Sequence, residues 1–493
     1  MTGCVLTHPS SPEATAPDII YSSRYTSLRL AMLQWAKSGG VLSINQNHDE
    51  IDNIYVVLQP GKTYRLTTEG APIITYIGQH FHWFIRILGK EKTPFIFEGN
   101  LTIDGKNNVN IPFWLQYDLV GGTNRRDCIF DGNFICKNAR MKRGFNRING
   151  DSNSTYESAC IIFSGGFDKL ELRGLQAISA TRESNLTVVA SKGSRGIVIN
   201  GFIGTERSSK HIIVSDFVVE DISAEDIPGT IDVPECDGLL IFKSAELSAS
   251  ETVVERGRFK NCLGRAIKLY SPGGGGVAKE LLIERSNNLA SVIDINFQHG
   301  DGLVEDVEFR YFDKAHGTKN YRLATTPISF ATSYSRPKEF PFRNTTIRNV
   351  QIIDTTGVRK AQLIGLDYIK DENTPRKVWF ENILDKGASD VLFRPAALGR
   401  YQDVTLHIQN VDVNLEVAAC ETDDPLERLT VIATDFVNRS PVDRPVVTTL
   451  DGKVRTASYG HWVSSGVLEG FTQKRDPHQN ASEIEAGFIH SVY

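Results

Sequence analysis

Gly99-Asn100-Leu101-Thr102-Ile103-Asp104-Gly105 is followed by Asp131-Gly132-Asn133-Phe134-Ile135-Cys136-Lys137-Asn138, the same shape in other letters. A polar or glycine pair opens each copy, apolar and polar residues alternate, and Asn, Asp, Lys or Gly closes it. The shape returns at Arg173-Gly174, Asn200-Gly201, Ser215-Asp216, Arg256-Gly257 and Phe309-Arg310, then at Arg348-Asn349, Phe380-Glu381, Gln409-Asn410 and Thr434-Asp435. The intervals are mostly about 24 to 42 residues, with one short step from 201 to 216, and Ile283 to Ala290 reads as a degenerate copy. Alternation with period two makes each copy a short strand with one face in and one face out. Second strands follow at Leu239 to Lys243, Ala266 to Tyr270 and Val292 to Asn296, and no helical pattern separates the copies. One turn cannot bury its own apolar face. Stacking at about 4.8 Å per rung supplies the missing hydrogen bonds and core. The expected fold is all-β, a right-handed parallel β-helix.

The flanks fit that reading. Leu28, Leu30, Met32, Leu33 and Trp35 belong to a helix expected from Thr26-Ser27 to Gly39-Gly40, followed by a strand from Ile54 and by Pro60-Gly61-Lys62-Thr63-Tyr64. A helix, a glycine stop and a strand would close the open end of a coil, which otherwise offers an edge to other chains. The expected division is an N-terminal segment with capping helix over 1–70, the β-helix over 71–438, and a C-terminal cap or oligomerisation tail over 439–493, where the repeat stops.

The remaining composition excludes several classes. Of 493 residues, 54 are Lys or Arg and 59 Asp or Glu, giving a net charge of -5; 40% are apolar. That is too apolar for a disordered chain, and too evenly charged for a duplex nucleic-acid partner. No apolar run exceeds Ile54 to Leu58, so no membrane helix is expected. The first twenty residues have neither a basic start nor a continuous apolar stretch, so no secretory leader is expected there. The seven cysteines are scattered without metal-site spacing and read as buried thiols. No cofactor or metal is expected.

The cap, the Pro-Gly-Lys-Thr-Tyr segment and the strand array resemble the pectate-lyase-like superfamily of right-handed β-helix proteins, over roughly residues 20 to 440. That superfamily holds polysaccharide lyases, glycoside hydrolases, epimerases and bacteriophage tailspike depolymerases. The Asn-Thr-Asp, Asp-Asp, Gly-His-Gly and Arg-Ile-Lys set of polygalacturonases is not found in the sequence. The resemblance implies a polysaccharide substrate and, for a tailspike, a homotrimer on a virion tail; a secreted or cell-surface bacterial enzyme is the alternative setting.

Aligning the three second strands places Phe242, Leu269 and Ile295 inward together. The outward columns are then Ile241, Lys268, Asp294 and Lys243, Tyr270, Asn296, with Arg265 and Asp237 at the strand entrances and His299 and Asp301 beyond the exit. Hydrolysis of a glycosidic bond needs an acid and a second carboxylate, and Asp237 and Asp294 would lie two rungs, roughly 9 to 10 Å, apart. Asp237 would be the acid and Asp294 the base, its charge favoured by Lys268. The expected activity is therefore glycoside hydrolysis. The alternatives are a lyase using Lys268, Lys243 or Arg265 to neutralise a uronate carboxylate and Tyr270 or His299 to move the proton, and a non-catalytic glycan-binding spike.

Three other stretches stand out. Pro112 to Tyr117 interrupts the repeat with aromatics, and Trp114 there could stack on a sugar ring. Gly273 to Gly276 reads as a turn. Glu220, Asp221, Glu225, Asp226, Asp232 and Glu235 read as an acidic loop.

Overall fold

Sheet is what the alternating segments form. The computed structural model describes residues 19–90, 93–117, 127–142, 158–183, 192–200, 209, 211–224, 235–242, 251–270, 275–284, 291–296, 301–311, 326–331, 344–354, 364–366, 376–385, 393–395, 404–413, 429–438 and 461–469. Their strands make one sheet of 17 strands and one of 11, both paired in parallel. The chain visits them in turn: Lys169–Arg182 lies in the larger sheet, Lys192–Asn200 in the smaller, His211–Ile222 in the larger, Glu235–Phe242 in the smaller. Each pair is one rung of a right-handed parallel β-helix, as expected.

The long strands of the larger sheet turn a corner without breaking the ladder. At the corner the backbone is left-handed, with positive φ at Gly174, Asp216, Arg256, Glu280, Asp306, Asn349 and Asn382. Asn and Asp tolerate that conformation best after Gly. They also tie rungs together: Asn349 Nδ2 donates to Asp306 Oδ1 at 2.8 Å, and Asn382 Nδ2 to Asn349 Oδ1 at 2.9 Å. At Gly132 contact itself demands glycine, because a Cβ there would lie 2.2 Å from the Gly99 carbonyl oxygen. A second left-handed column runs through Asn138, Ser179, Asp221 and Asn261, where Asn261 Nδ2 donates to Asp221 Oδ1 at 2.8 Å.

The corners account for the irregular repeat. Asn200-Gly201 is no corner: Asn200 ends a strand of the smaller sheet, and Gly201 lies outside the described residues. The degenerate copy turns earlier, at Glu280, and the next rung turns at Asp306 rather than at Phe309-Arg310.

Inward columns fill the coil. Ile197, Leu239, Ile267, Ile293 and Ile328 stack rung on rung, as do Ile199, Ile241, Leu269, Ile295 and Phe330. All are buried, and each contributes roughly 1.5–3 kcal/mol. Towards the N-terminal end the filling is aromatic, with Phe130 ringed by Phe95, Phe97, Phe134 and Phe163 at centroid distances of 5.6, 5.4, 5.0 and 5.1 Å. Cys128, Cys136, Cys160, Cys236 and Cys262 are free and buried, and burial raises the Cys160 thiol to about 12. Cys4 and Cys420 lie outside the described residues.

The helix Leu28–Ser38 joins this core through Leu28, Ala31, Met32, Trp35 and Ala36. Ser27 Oγ accepts from Leu30 N at its start, the buried Glu50 carboxylate accepts from Leu28 N at 2.6 Å, and Gly39 ends it at φ 76. Leu30 and Leu33 lie on the opposite, exposed face of the helix. Strand pairing also runs across residues 70 and 438, where the expected segments meet, since Tyr64–Thr68 pairs with Phe95–Asp104, and His461–Glu469 pairs with Leu429–Asn438.

A charged column runs along the outside of the larger sheet. Glu255, Lys279, Glu305, Arg348 and Glu381 are register partners on successive rungs. Lys279 Nζ meets Glu255 at 3.0 Å, and Arg348 pairs with Glu305. Parallel stacking sets equivalent positions side by side, where like charges repel and opposite charges attract.

Candidate functional site on the smaller sheet

Lys268, Tyr270, Asp294, Asn296 and Trp114 lie on strands of the smaller sheet, with Asp237 on another and Arg265 just before one, while Asp301 adjoins a strand of the larger sheet. One strand of the smaller sheet ends in an unbroken apolar run, so period two cannot choose its register: Leu239-Leu240-Ile241-Phe242 can face either way. The structure chooses the register opposite to the expected one. Ile241 pairs with Leu269 and is buried, while Phe242 pairs with Tyr270 and their rings stack at 4.4 Å and 7°. The outer columns are therefore Leu240, Lys268, Asp294, Ser329 and Phe242, Tyr270, Asn296. Lys268 and Tyr270 are half-buried.

At the strand entrances the charges are buried. Asp237 is 0% exposed and sits between two guanidinium groups, Arg195 on the preceding rung and Arg265 on the following one. Arg195 Nη1 pairs with Asp237 Oδ2, Arg265 Nη1 lies 3.3 Å from Asp237 Oδ1, and Arg265 Nε lies 3.0 Å from Asp294 Oδ2. Arg265 and Asp294 are themselves buried. Burial pushes the Asp237 carboxyl pKa up, but the charges of Arg195, Arg265 and Lys268 outweigh it and hold it below the usual aspartate range. Asp237 is thus an ionised, enclosed carboxylate. A general acid at neutral pH needs the opposite shift.

The other candidates separate. Asp301 is exposed, and its backbone carbonyl passes so close that a Cβ on Gly275 would meet it at 1.7 Å, which requires glycine at that position. Lys243 and His299 lie outside the described residues, and Asn296 is placed only by its backbone. Trp114 is 2% exposed, and its indole N–H donates to Ser164 Oγ at 2.7 Å. The segment around it does not interrupt the repeat, because Val109–Tyr117 is a strand of the smaller sheet. Of the acidic stretch, Asp221 serves a corner, and residues 225–234 lie outside the described residues. Among the described residues no group of three or more His, Cys, Asp or Glu is placed to hold a metal ion.

Arg195 was missed, although a signal for it exists. Arg195-Gly196-Ile197, Asp237-Gly238-Leu239 and Arg265-Ala266-Ile267 share one shape, a charge and a small residue before an apolar run. Aligning on the charges yields the observed register. Also missed was an aromatic cluster on the first rungs of the same sheet, where Tyr55 and Trp83 flank Arg86 and Phe81 packs on Trp83.

No family model matches this chain, and no curated protein does. Two solved structures are similar in architecture. One is a mannuronic acid specific polysaccharide family 6 lyase from human gut microbiota, at TM-score 0.42 and 11% identity, covering 92% of this chain and 91% of that one. The other is the A-module of the Azotobacter vinelandii mannuronan C-5 epimerase AlgE6, at TM-score 0.33 and 10% identity, covering 85% of this chain and 96% of that one. Neither is a glycoside hydrolase. The hydrolase expectation is corrected by the enclosed, ion-paired state of Asp237, which leaves the expected carboxylate pair without its acid.

Proposed function

We propose that the chain cleaves a uronate-containing polysaccharide by β-elimination on the outer face of the smaller sheet. The observation that carries the reading is the charge balance around the strand Ile267–Tyr270. Arg195, Arg265 and Lys268 outnumber Asp237 and Asp294 by one among the described residues of the patch, and Arg265 is committed to both carboxylates. The surplus positive charge favours an anionic polymer. Lys268 and Tyr270 are two residues apart on one face, about 7 Å along the strand.

In this mechanism Lys268 neutralises the substrate carboxylate, which makes the proton on the adjacent carbon acidic. The Tyr270 oxygen takes or returns a proton at the reacting centre. The carbon–hydrogen electron pair forms the new carbon–carbon double bond, the bond to the glycosidic oxygen breaks, and that oxygen leaves protonated. No water is consumed. Asp237 and Arg265 support the strand entrance from beneath and touch no substrate.

Incubation with a panel of polyuronates tests the proposal. The expected result is ultraviolet absorbance from an unsaturated uronate, rising together with new chain ends. Lys268→Gln lowers the rate by about a hundred- to a thousandfold while the protein stays folded. New reducing ends without absorbance would overturn the reading.

A further inference from the structure

The outer face of the smaller sheet changes character along the coil. In the column that leads to Lys268, Trp114, Ile162 and Val198 are 2%, 3% and 8% exposed. At its N-terminal end the same face opens, with Tyr55 at 42% and Phe81 at 37%. Trp83 joins them, its ring centroid 5.9 Å from Tyr55 and 5.4 Å from Phe81. Arg86 lies against Tyr55 and Trp83. Its guanidinium carbon is 4.2 Å from the centroid of the Trp114 ring, 5.5 Å from Tyr55 and 5.8 Å from Trp83. Its Nε and Nη2 both donate to Gln116 Oε1, at 3.2 and 2.6 Å, which fixes the plane of the fork. Tyr55, Arg86 and Trp114 are register partners, so the arrangement is held by three consecutive rungs.

We infer that Tyr55, Phe81, Trp83 and Arg86 form an anchoring subsite for a uronate ring of the polysaccharide, remote from the site of cleavage. Aromatic faces accept the C–H face of a pyranose ring, and a guanidinium held in one plane suits a carboxylate. Those two chemistries meet in a uronate and nowhere in a neutral glycan. A purely apolar protein partner would leave the Arg86 charge inside a dry interface at a cost. The subsite shares the outer face with Lys268, five rungs away, or roughly 24 Å. One polymer chain laid along the coil axis would reach both. The inference rests on the proposed polyuronate substrate and adds to it a preference for long chains.

Affinity electrophoresis through gels containing polygalacturonate or polymannuronate, with dextran as the neutral comparison, tests this directly. Tyr55→Ala and Phe81→Ala remove exposed rings, and thermal unfolding confirms that both variants fold. Each is expected to weaken retardation in the polyuronate gel by roughly three- to tenfold and to leave migration in dextran unchanged. Wild-type protein retarded by polyuronate, with both variants retarded equally, overturns the subsite and leaves the elimination reading intact. Failure of the wild-type protein to bind or cleave any polyuronate overturns both. A loss of self-association in the variants, with polyuronate binding kept, would make the surface a contact between copies of this chain and end the proposal.

Discussion

Asp237→Asn tests the buried charge chain. The substitution keeps the shape of the side chain and removes its charge, leaving the Arg195 and Arg265 guanidiniums on neighbouring rungs without the carboxylate between them. Because Asp237 is fully buried and Arg265 nearly so, solvent screens little of the loss. Breaking such a pair costs about 3–5 kcal/mol. An outward-facing aspartate would be almost silent instead, within about 0.5 kcal/mol. Urea unfolding followed by circular dichroism reads the difference as a shift in midpoint, with Asp301→Asn as the exposed control. The sign with pH is also determined. The folded pKa lies below the unfolded value of about 3.9, so the stabilisation is fully present above that value and disappears as the pH falls through the depressed folded value. Wild-type stability should therefore fall in acid more steeply than that of the variant. An Asp237→Asn midpoint indistinguishable from that of Asp301→Asn would refute the buried ion-pair argument.

Two further outcomes concern the corners. Asn349→Ala deletes a side chain that both donates to Asp306 and accepts from Asn382, at a left-handed residue; a loss of about 1–3 kcal/mol in urea is expected, and Asn349→Gly should recover the part due to backbone conformation. Gly132→Ala drives a Cβ into the Gly99 carbonyl, with an expected loss of about 1–3 kcal/mol in the same assay.

The coil was legible because its two determinants are local. Alternation such as Leu101-Thr102-Ile103 marks a strand with one buried face, and Gly, Asn or Asp at intervals marks the residues that accept left-handed backbone. The helix Leu28–Ser38 was legible from Ser27 and Gly39 for the same reason. The site was legible only in part. Lys268, Tyr270 and Asp294 were placed correctly relative to one another because Ile267-Lys268-Leu269-Tyr270 and Ile293-Asp294-Ile295 alternate. Leu239 to Phe242 does not, and that run slipped by one. Nor does a sequence say which charges are enclosed: Asp237 and Asp301 look alike in the chain, yet one is buried between arginines and the other faces water.

The charges from Glu255 to Glu381 alternate in sign from rung to rung. Coiled proteins lengthen by copying whole turns, and here the copy number matters. Duplicating one turn within this stretch would set like beside like, whereas duplicating two in tandem would restore every pairing. The unit by which this part of the molecule can grow or shrink without electrostatic penalty is therefore a pair of turns.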